Sequence, residues 1–141
     1  MKDATTTFTS EERIAFLAVL HFASTLNGVT EEEKEFIVSL AEEIGASKNE
    51  TKQAMESRSK EQIMDMLNVF IEKSHRLTLI KELFFLGYSD GNLSDEELVF
   101  VAAVGNKMGI DDDVLEDISR WVIAGIEWQE EGERIFGEIS D

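Results

Sequence analysis

The sequence predicts an all-α fold in which two related halves pack around two central apolar helices. Three observations predict it. Proline is absent, and no alternating apolar–polar run is bounded by turn residues, so the usual signs of a sheet are missing. Thr9, Thr30, Ser47, Ser59 and Ser94 are each followed three residues later by Glu or Gln, the capping box that opens helices. The third observation is an internal repeat, set out after the elements.

The first helix starts at Thr9 or Ser10, with Glu12 closing the cap. Ile14, Phe16, Leu17, Val19, Leu20, Phe22, Ala23 and Leu26 cover most of its circumference, which predicts burial on nearly all sides. Asn27-Gly28 ends it, with glycine able to take positive φ. The second helix opens at Thr30 with Glu33 at its third position. Phe36, Ile37, Leu40, Ala41 and Ile44 follow at helical spacing before Gly45 stops it. A short third helix follows Ser47. A fourth follows Ser59 and carries Ile63, Met66, Leu67, Phe70 and Ile71 inward.

The pattern leaves open whether the chain breaks near Ser74–Arg76. Leu77, Leu79, Ile80, Leu83, Phe84, Phe85 and Leu86 then form a second helix that is apolar nearly all round, ended by the turn from Gly87 to Gly91. Ser94 caps the next helix, whose buried stripe is Phe100, Val101, Val104 and Met108, and Gly109 stops it. Asp111 caps a helix that turns Val114, Leu115, Ile118, Trp121, Val122 and Ile126 inward. The tail from Glu127 to Asp141 holds Trp128, Ile135, Phe136 and Ile139, and is expected to fold back as another helix so that these residues find cover.

The repeat pairs Gly28 to Gly45 with Gly91 to Gly109. Thr30 corresponds to Ser94, Phe36-Ile37 to Phe100-Val101, Leu40 to Val104, and Ile44-Gly45 to Met108-Gly109. Upstream, Phe16, Leu20 and Ala23 align with Leu79, Leu83 and Leu86. Each unit is an apolar helix, a glycine turn, a capped amphipathic helix and a glycine stop. Two units are too few for a solenoid, so the two apolar helices are expected to meet at the centre with amphipathic helices around them. The length of 141 residues suits one domain, expected over 9–141, with repeat units at about 12–45 and 75–109 and a flexible segment at 1–8.

Composition narrows the function. Cysteine is absent, which removes thiol catalysis, disulfides and thiolate metal ligands. No leader is visible at Met1–Phe8, and the apolar run Leu98 to Gly105 is far short of the ~18 residues of a membrane span. A soluble, cytoplasmic protein without direct membrane insertion is expected. The net charge of −17 repels nucleic-acid backbones and anionic membranes. It favours a basic protein surface or a divalent cation. From Lys48 to Glu82 the chain carries seven basic and six acidic residues, whereas from Asp111 to Asp141 it carries two basic and eleven acidic ones. The negative charge is therefore concentrated at one end.

The run Asp90-Gly91-Asn92-Leu93-Ser94-Asp95-Glu96-Glu97 and its counterpart Asn27-Gly28-Val29-Thr30-Glu31-Glu32-Glu33 resemble the repeated Asp-Gly turn of TerB-like domains. These occur in tellurite-resistance TerB proteins and attached to some J-domain co-chaperones. The resemblance covers roughly Thr9 to Ile126. It implies about seven helices, a role in stress response at the inner membrane face or in multiprotein complexes, and divalent-cation binding by the acidic turns. The sequence departs from the family at Asn27, where Asp is usual.

The residues themselves offer a cation site at Asp90, Asp95, Glu96 and Glu97, hard oxygen ligands of the kind calcium, magnesium or manganese would take. An EF-hand is excluded, because its first and third positions would be Leu86 and Tyr88. A different site would use Asp90, Asp95 and Glu97 with Asn27 and Glu33, should the two turns converge. The competing account is that these acids complement helix dipoles and close caps.

Other constellations carry less. Glu72-x-x-His75 is half of a di-iron pattern and lacks the second half. His21 sits in the most apolar helix and reads as a neutral buried imidazole. Gly105 to Gly109 lies within and at the end of a helix rather than after a strand, so it is no phosphate loop. With two histidines and no Gly-x-Ser-x-Gly, a nucleophilic triad lacks support and no enzyme is expected. Trp121 and Trp128 lie seven apart, on one helical face, as core residues or as an aromatic anchor. The function expected is an acidic, non-enzymatic binding module that takes a cation, a basic partner, or both. Trp128, Glu130 and Glu131 are its partner-binding candidates. The alternative is a structural interaction domain or dimer that recognises partners through an apolar groove without metal.

Overall fold

The structure, a computed structural model, describes residues 7–26, 28–88 and 93–140, with side chains as far as residue 137. Among them run seven α-helices and no strand. They are α1 (Ser10–Thr25), α2 (Glu31–Glu43), α3 (Lys48–Ala54), α4 (Lys60–Met66), α5 (Lys73–Tyr88), α6 (Asp95–Lys107) and α7 (Asp112–Ser140).

All five capping boxes form. Thr9, Thr30, Ser47, Ser59 and Ser94 each accept the backbone N–H of the third helical residue, whose own side chain reaches back to the cap. Each is worth about 1 kcal/mol, and together they fix where five of the helices begin. The ends of α2 and α6 are set by the same device. Gly45 takes φ +74° and Gly109 φ +77°. Ala46 then donates to the Ala41 carbonyl at 2.9 Å, and Ile110 to the Gly105 carbonyl at 2.9 Å. This is the Schellman closure, which needs the left-handed conformation that glycine adopts without penalty.

Helix α1 packs against α2, α3, α4 and α5, while α5 packs against α1, α2, α6 and α7. The burial follows the apolar pattern: Phe16, Leu17, Val19 and Leu20 of α1 and Leu79, Ile80 and Leu86 of α5 are fully buried. Ile63, Phe70, Val104 and Val122 complete this interior. Each such side chain contributes roughly 1.5–3 kcal/mol relative to leaving it in water. Gly105 lets α7 approach α6, since a Cβ there would lie 2.8 Å from Leu115 Cδ2.

The structure differs from the sequence expectations in four places. The chain is packed from Thr7 onward: Phe8 is buried and its ring lies 4.9 Å from Phe16 and 4.7 Å from His75. Helix α4 ends at Met66 and runs into a 3-10 turn at Leu67–Val69, after which Phe70 is extended. Phe70 is thereby buried, while Ile71 is 80% exposed rather than inward. The chain interruption falls at Phe70–Glu72, ahead of Ser74–Arg76. Finally, the tail does not fold back. α7 is one continuous helix of 29 residues, about 43 Å at 1.5 Å per residue, and its far end leaves the packed body.

Candidate functional site

The four buried glutamates of the protein's described part are Glu12, Glu33, Glu50 and Glu97, and each closes a capping box. A cap uses one carboxylate oxygen, so the second oxygen is what can do further work. In Glu12 that oxygen meets His75 Nδ1 at 2.7 Å, while Oε1 accepts the Thr9 N–H at 2.9 Å. On the other side of the ring, His75 Nε2 meets Thr7 Oγ1 at 2.6 Å. A carboxylate only accepts, so Nδ1 carries a proton. Burial by itself raises the Glu12 carboxyl. The Thr9 N–H and the His75 imidazole outweigh it and hold the group below its ordinary value. The carboxylate–imidazole–hydroxyl chain ties the segment before α1 to the start of α5.

Glu50 does the same between α1 and α3. Arg13 approaches it bidentately, Nε to Oε1 at 2.9 Å and Nη2 to Oε2 at 2.8 Å, and Ser10 Oγ also donates to Oε2. The Arg13 and Ser10 donors, with the Ser47 N–H, lower the Glu50 carboxyl to about 2. Glu33 and Glu97 turn inward on their own caps. Oε1 of Glu33 accepts from Thr30 N at 3.2 Å and Thr30 Oγ1 at 3.3 Å, and Oε1 of Glu97 accepts from Ser94 Oγ at 3.1 Å.

These placements correct the cation expectation. Among the described residues, no group of three or more His, Cys, Asp or Glu is arranged to hold a metal ion. Glu33 and Glu97 are 4% and 6% exposed and engaged at their caps, and Asp95 lies exposed in the first turn of α6. Asp90 and Asn27 fall outside the described residues. The calcium, magnesium or manganese site is therefore withdrawn. The Glu72-x-x-His75 pair does meet, Glu72 Oε2 lying 3.5 Å from His75 Nε2, but His75 is already held by Glu12 and Thr7. His21 is half-buried; burial, and then the Arg58 charge, push its imidazole below the ordinary range.

Two apolar grooves among the described residues bear on binding. A groove of about 350 Å³ between α1 and α6 is lined by Phe22, Leu26, Val99 and Phe100, together with Lys60, Asp95 and Glu96. A second groove of about 240 Å³ lies between α5 and α7, lined by Leu77, Thr78, Lys81, Val114, Ile118 and Trp121. Trp121 rests edge-on against Phe85 at 6.3 Å between ring centroids, yet 62% of it is exposed. Trp128 is 80% exposed. Glu130 and Glu131 stand exposed beside it, and Glu131 accepts from Arg134 at 2.8 Å. The inward expectation for Trp121 is thus corrected, because the buried face of α7 is the one carrying Leu115 and Val122, and Trp121 lies about 100° round the helix from Val122. Sequence reasoning also missed the α1–α6 groove; its signal was Val99, an apolar residue off the buried stripe of α6.

The buried carboxylates of this seven-helix acidic protein thus close helix caps, and Glu12 and Glu50 also bind across elements. Residues 2–120 match the family model for the tellurite resistance protein TerB. The chain belongs to the TerB family. Searches of curated proteins and of solved structures found no match. The family match stops one residue before Trp121, so both tryptophans lie beyond it. Among the described residues, no helix is long and apolar enough to cross a membrane.

Proposed function

We propose that this TerB-family protein is a non-enzymatic interaction module that recognises partner proteins through an apolar surface, within a cytoplasmic stress-response assembly. One observation carries it: Trp121 and Trp128 stand 62% and 80% exposed on α7, and Trp121 lines the α5–α7 groove. Large aromatic side chains in water are the usual anchors of protein interfaces. Trp128 is the anchor in this reading, with Glu130 and Glu131 as its polar rim. Among the described residues, no buried side-chain nitrogen or oxygen lacks a hydrogen-bond partner, so the buried polar groups are engaged within the fold.

The scaffold is read as a single domain over 9–141 built from a duplicated helical pair, with units at about 12–45 and 75–109. Equal helix lengths support this: α1 and α5 have 16 residues each, and α2 and α6 have 13 each. The matching Schellman closures at Gly45 and Gly109 support it as well.

Affinity capture from cell extract tests the reading. Partners retained at high salt and lost on Trp128→Ala are expected. Partners released by salt and indifferent to Trp128→Ala would point instead to the acidic surface alone. A second site is favoured by the α1–α6 groove, where Val99 is 65% exposed beside Phe22 and Phe100. Val99→Asp separates the two.

A further inference from the structure

The inference rests on the interaction reading above and gives the partner a chemistry. Along α7, Trp121, Gly125, Trp128, Gly132 and Ile135 recur at alternating steps of four and three, which places them on one face of the helix. Val114 and Ile118 extend the same spacing back into the α5–α7 groove. The exposed stripe and the groove are therefore one continuous surface. Its relief is regular. The indoles project from the helix one turn away from glycines, and a Cβ placed on Gly125 or Gly132 would meet nothing within 4 Å. Bulk and gap thus alternate along the stripe, the relief into which the apolar side chains of a second helix insert.

Charge decides which helix. Between Asp112 and Ser140 stand nine carboxylates against two arginines. Both arginines are already paired within the helix, Arg120 with Asp117 at 2.6 Å and Arg134 with Glu131 at 2.8 Å. A second copy of this chain would bring two such helices together in a protein of net charge −17, and like charges across an interface oppose association. We propose that the tryptophan–glycine stripe of α7 docks a basic amphipathic helix, with large apolar side chains seated over Gly125 and Gly132 and lysine or arginine facing the flanking carboxylates.

The two tryptophans of the protein both lie on this stripe, so intrinsic fluorescence reports occupancy directly. The test titrates the full chain at 0.15 M salt with a three-heptad synthetic peptide. It carries leucine at the three- and four-spaced positions and lysine elsewhere; a matched peptide replaces lysine with glutamate. A saturable blue shift at one peptide per chain is expected, with the glutamate peptide at least 10-fold weaker. Calorimetry should show Trp128→Ala and Gly132→Leu each weakening binding by 10-fold or more, with helical circular dichroism unchanged. Gly132→Leu guards against mere unfolding, since leucine favours helix over glycine. Equal binding of both peptides, no binding, a shift that grows with protein concentration alone, or binding indifferent to both variants would each overturn the proposal. Loss of peptide binding on Val99→Asp but not on Trp128→Ala would overturn it while leaving the interaction reading intact. Indifference to all three variants would remove both.

Discussion

The packed body and the far end of α7 share a sequence pattern and differ in what covers it. From Val114 to Ile126, apolar residues at helical spacing meet α5 and α6, so that Leu115 is 7% exposed and Val122 fully buried. From Glu127 onward the spacing continues, yet Trp128 is 80% exposed. The helix geometry is the same. What changes is that the body gives out while the helix goes on. Apolar periodicity thus specifies which face of a helix wants cover, and says nothing about whether the same chain supplies it.

Substitutions that separate the two regions should follow that boundary. The largest effect is expected for Val122→Asp, which buries an unpaired carboxylate. It should cost upward of about 4 kcal/mol and abolish the cooperative melt seen by circular dichroism. Trp128→Asp, six residues further along, should stay within about 0.5 kcal/mol of the parent. A large loss there would mean that the far end is packed.

Next in size are the ion pairs of the body. Glu50→Gln should cost about 2 kcal/mol at neutral pH, through the lost charge-assisted bonds to Arg13. The pH dependence sharpens this. Glu50 is held at about 2, and Glu12 too is lowered. A carboxyl lowered in the folded state makes a contribution that is complete above its ordinary value near 4.5 and is lost as pH falls toward the folded value. Melting temperature should therefore decline between about pH 5 and 2, and decline less steeply in Glu50→Gln. An unchanged acid profile would contradict the Arg13–Glu50 geometry.

A smaller effect is expected at Gly105. Gly105→Ala places a Cβ 2.8 Å from Leu115 and should cost about 1–2 kcal/mol as α7 shifts away from α6. Gly132→Ala, on the far end with open space around it, should be neutral or stabilise by up to about 1 kcal/mol. Opposite signs for one substitution at two sites of similar helical setting would place the boundary between the regions.

Much of the fold was legible because it is local. A Ser or Thr with Glu three residues on specifies a helix start through bonds spanning four residues, and all five formed. Gly45 and Gly109 were legible as stops for the same reason. The bonds that tie elements together were not. His75 is 63 residues from Glu12 and 68 from Thr7, and nothing near His75 announces either partner. Glu50 was read as a cap, which it is; its second role, holding Arg13, depends on how α3 lies against α1. The acidic turns misled because a cap glutamate and a metal-ligating glutamate have the same spacing. Glu33 and Glu97 differ from ligands in where their oxygens point. At Trp121 and the tail, the expectation of cover assumed that apolar residues are always met by the same chain, whereas α7 runs on as one helix of 29 residues.

Single-tryptophan variants, Trp121→Phe and Trp128→Phe, examined by fluorescence quenching with acrylamide at low protein concentration, test the central claim most directly. With Trp128 as the remaining fluorophore, emission close to that of free tryptophan in water and nearly unhindered quenching are predicted, and Trp121 should be somewhat better shielded by Phe85. A blue-shifted, poorly quenched Trp128 in the dilute protein would show that the end of α7 folds onto the body, and would contradict the exposed docking face.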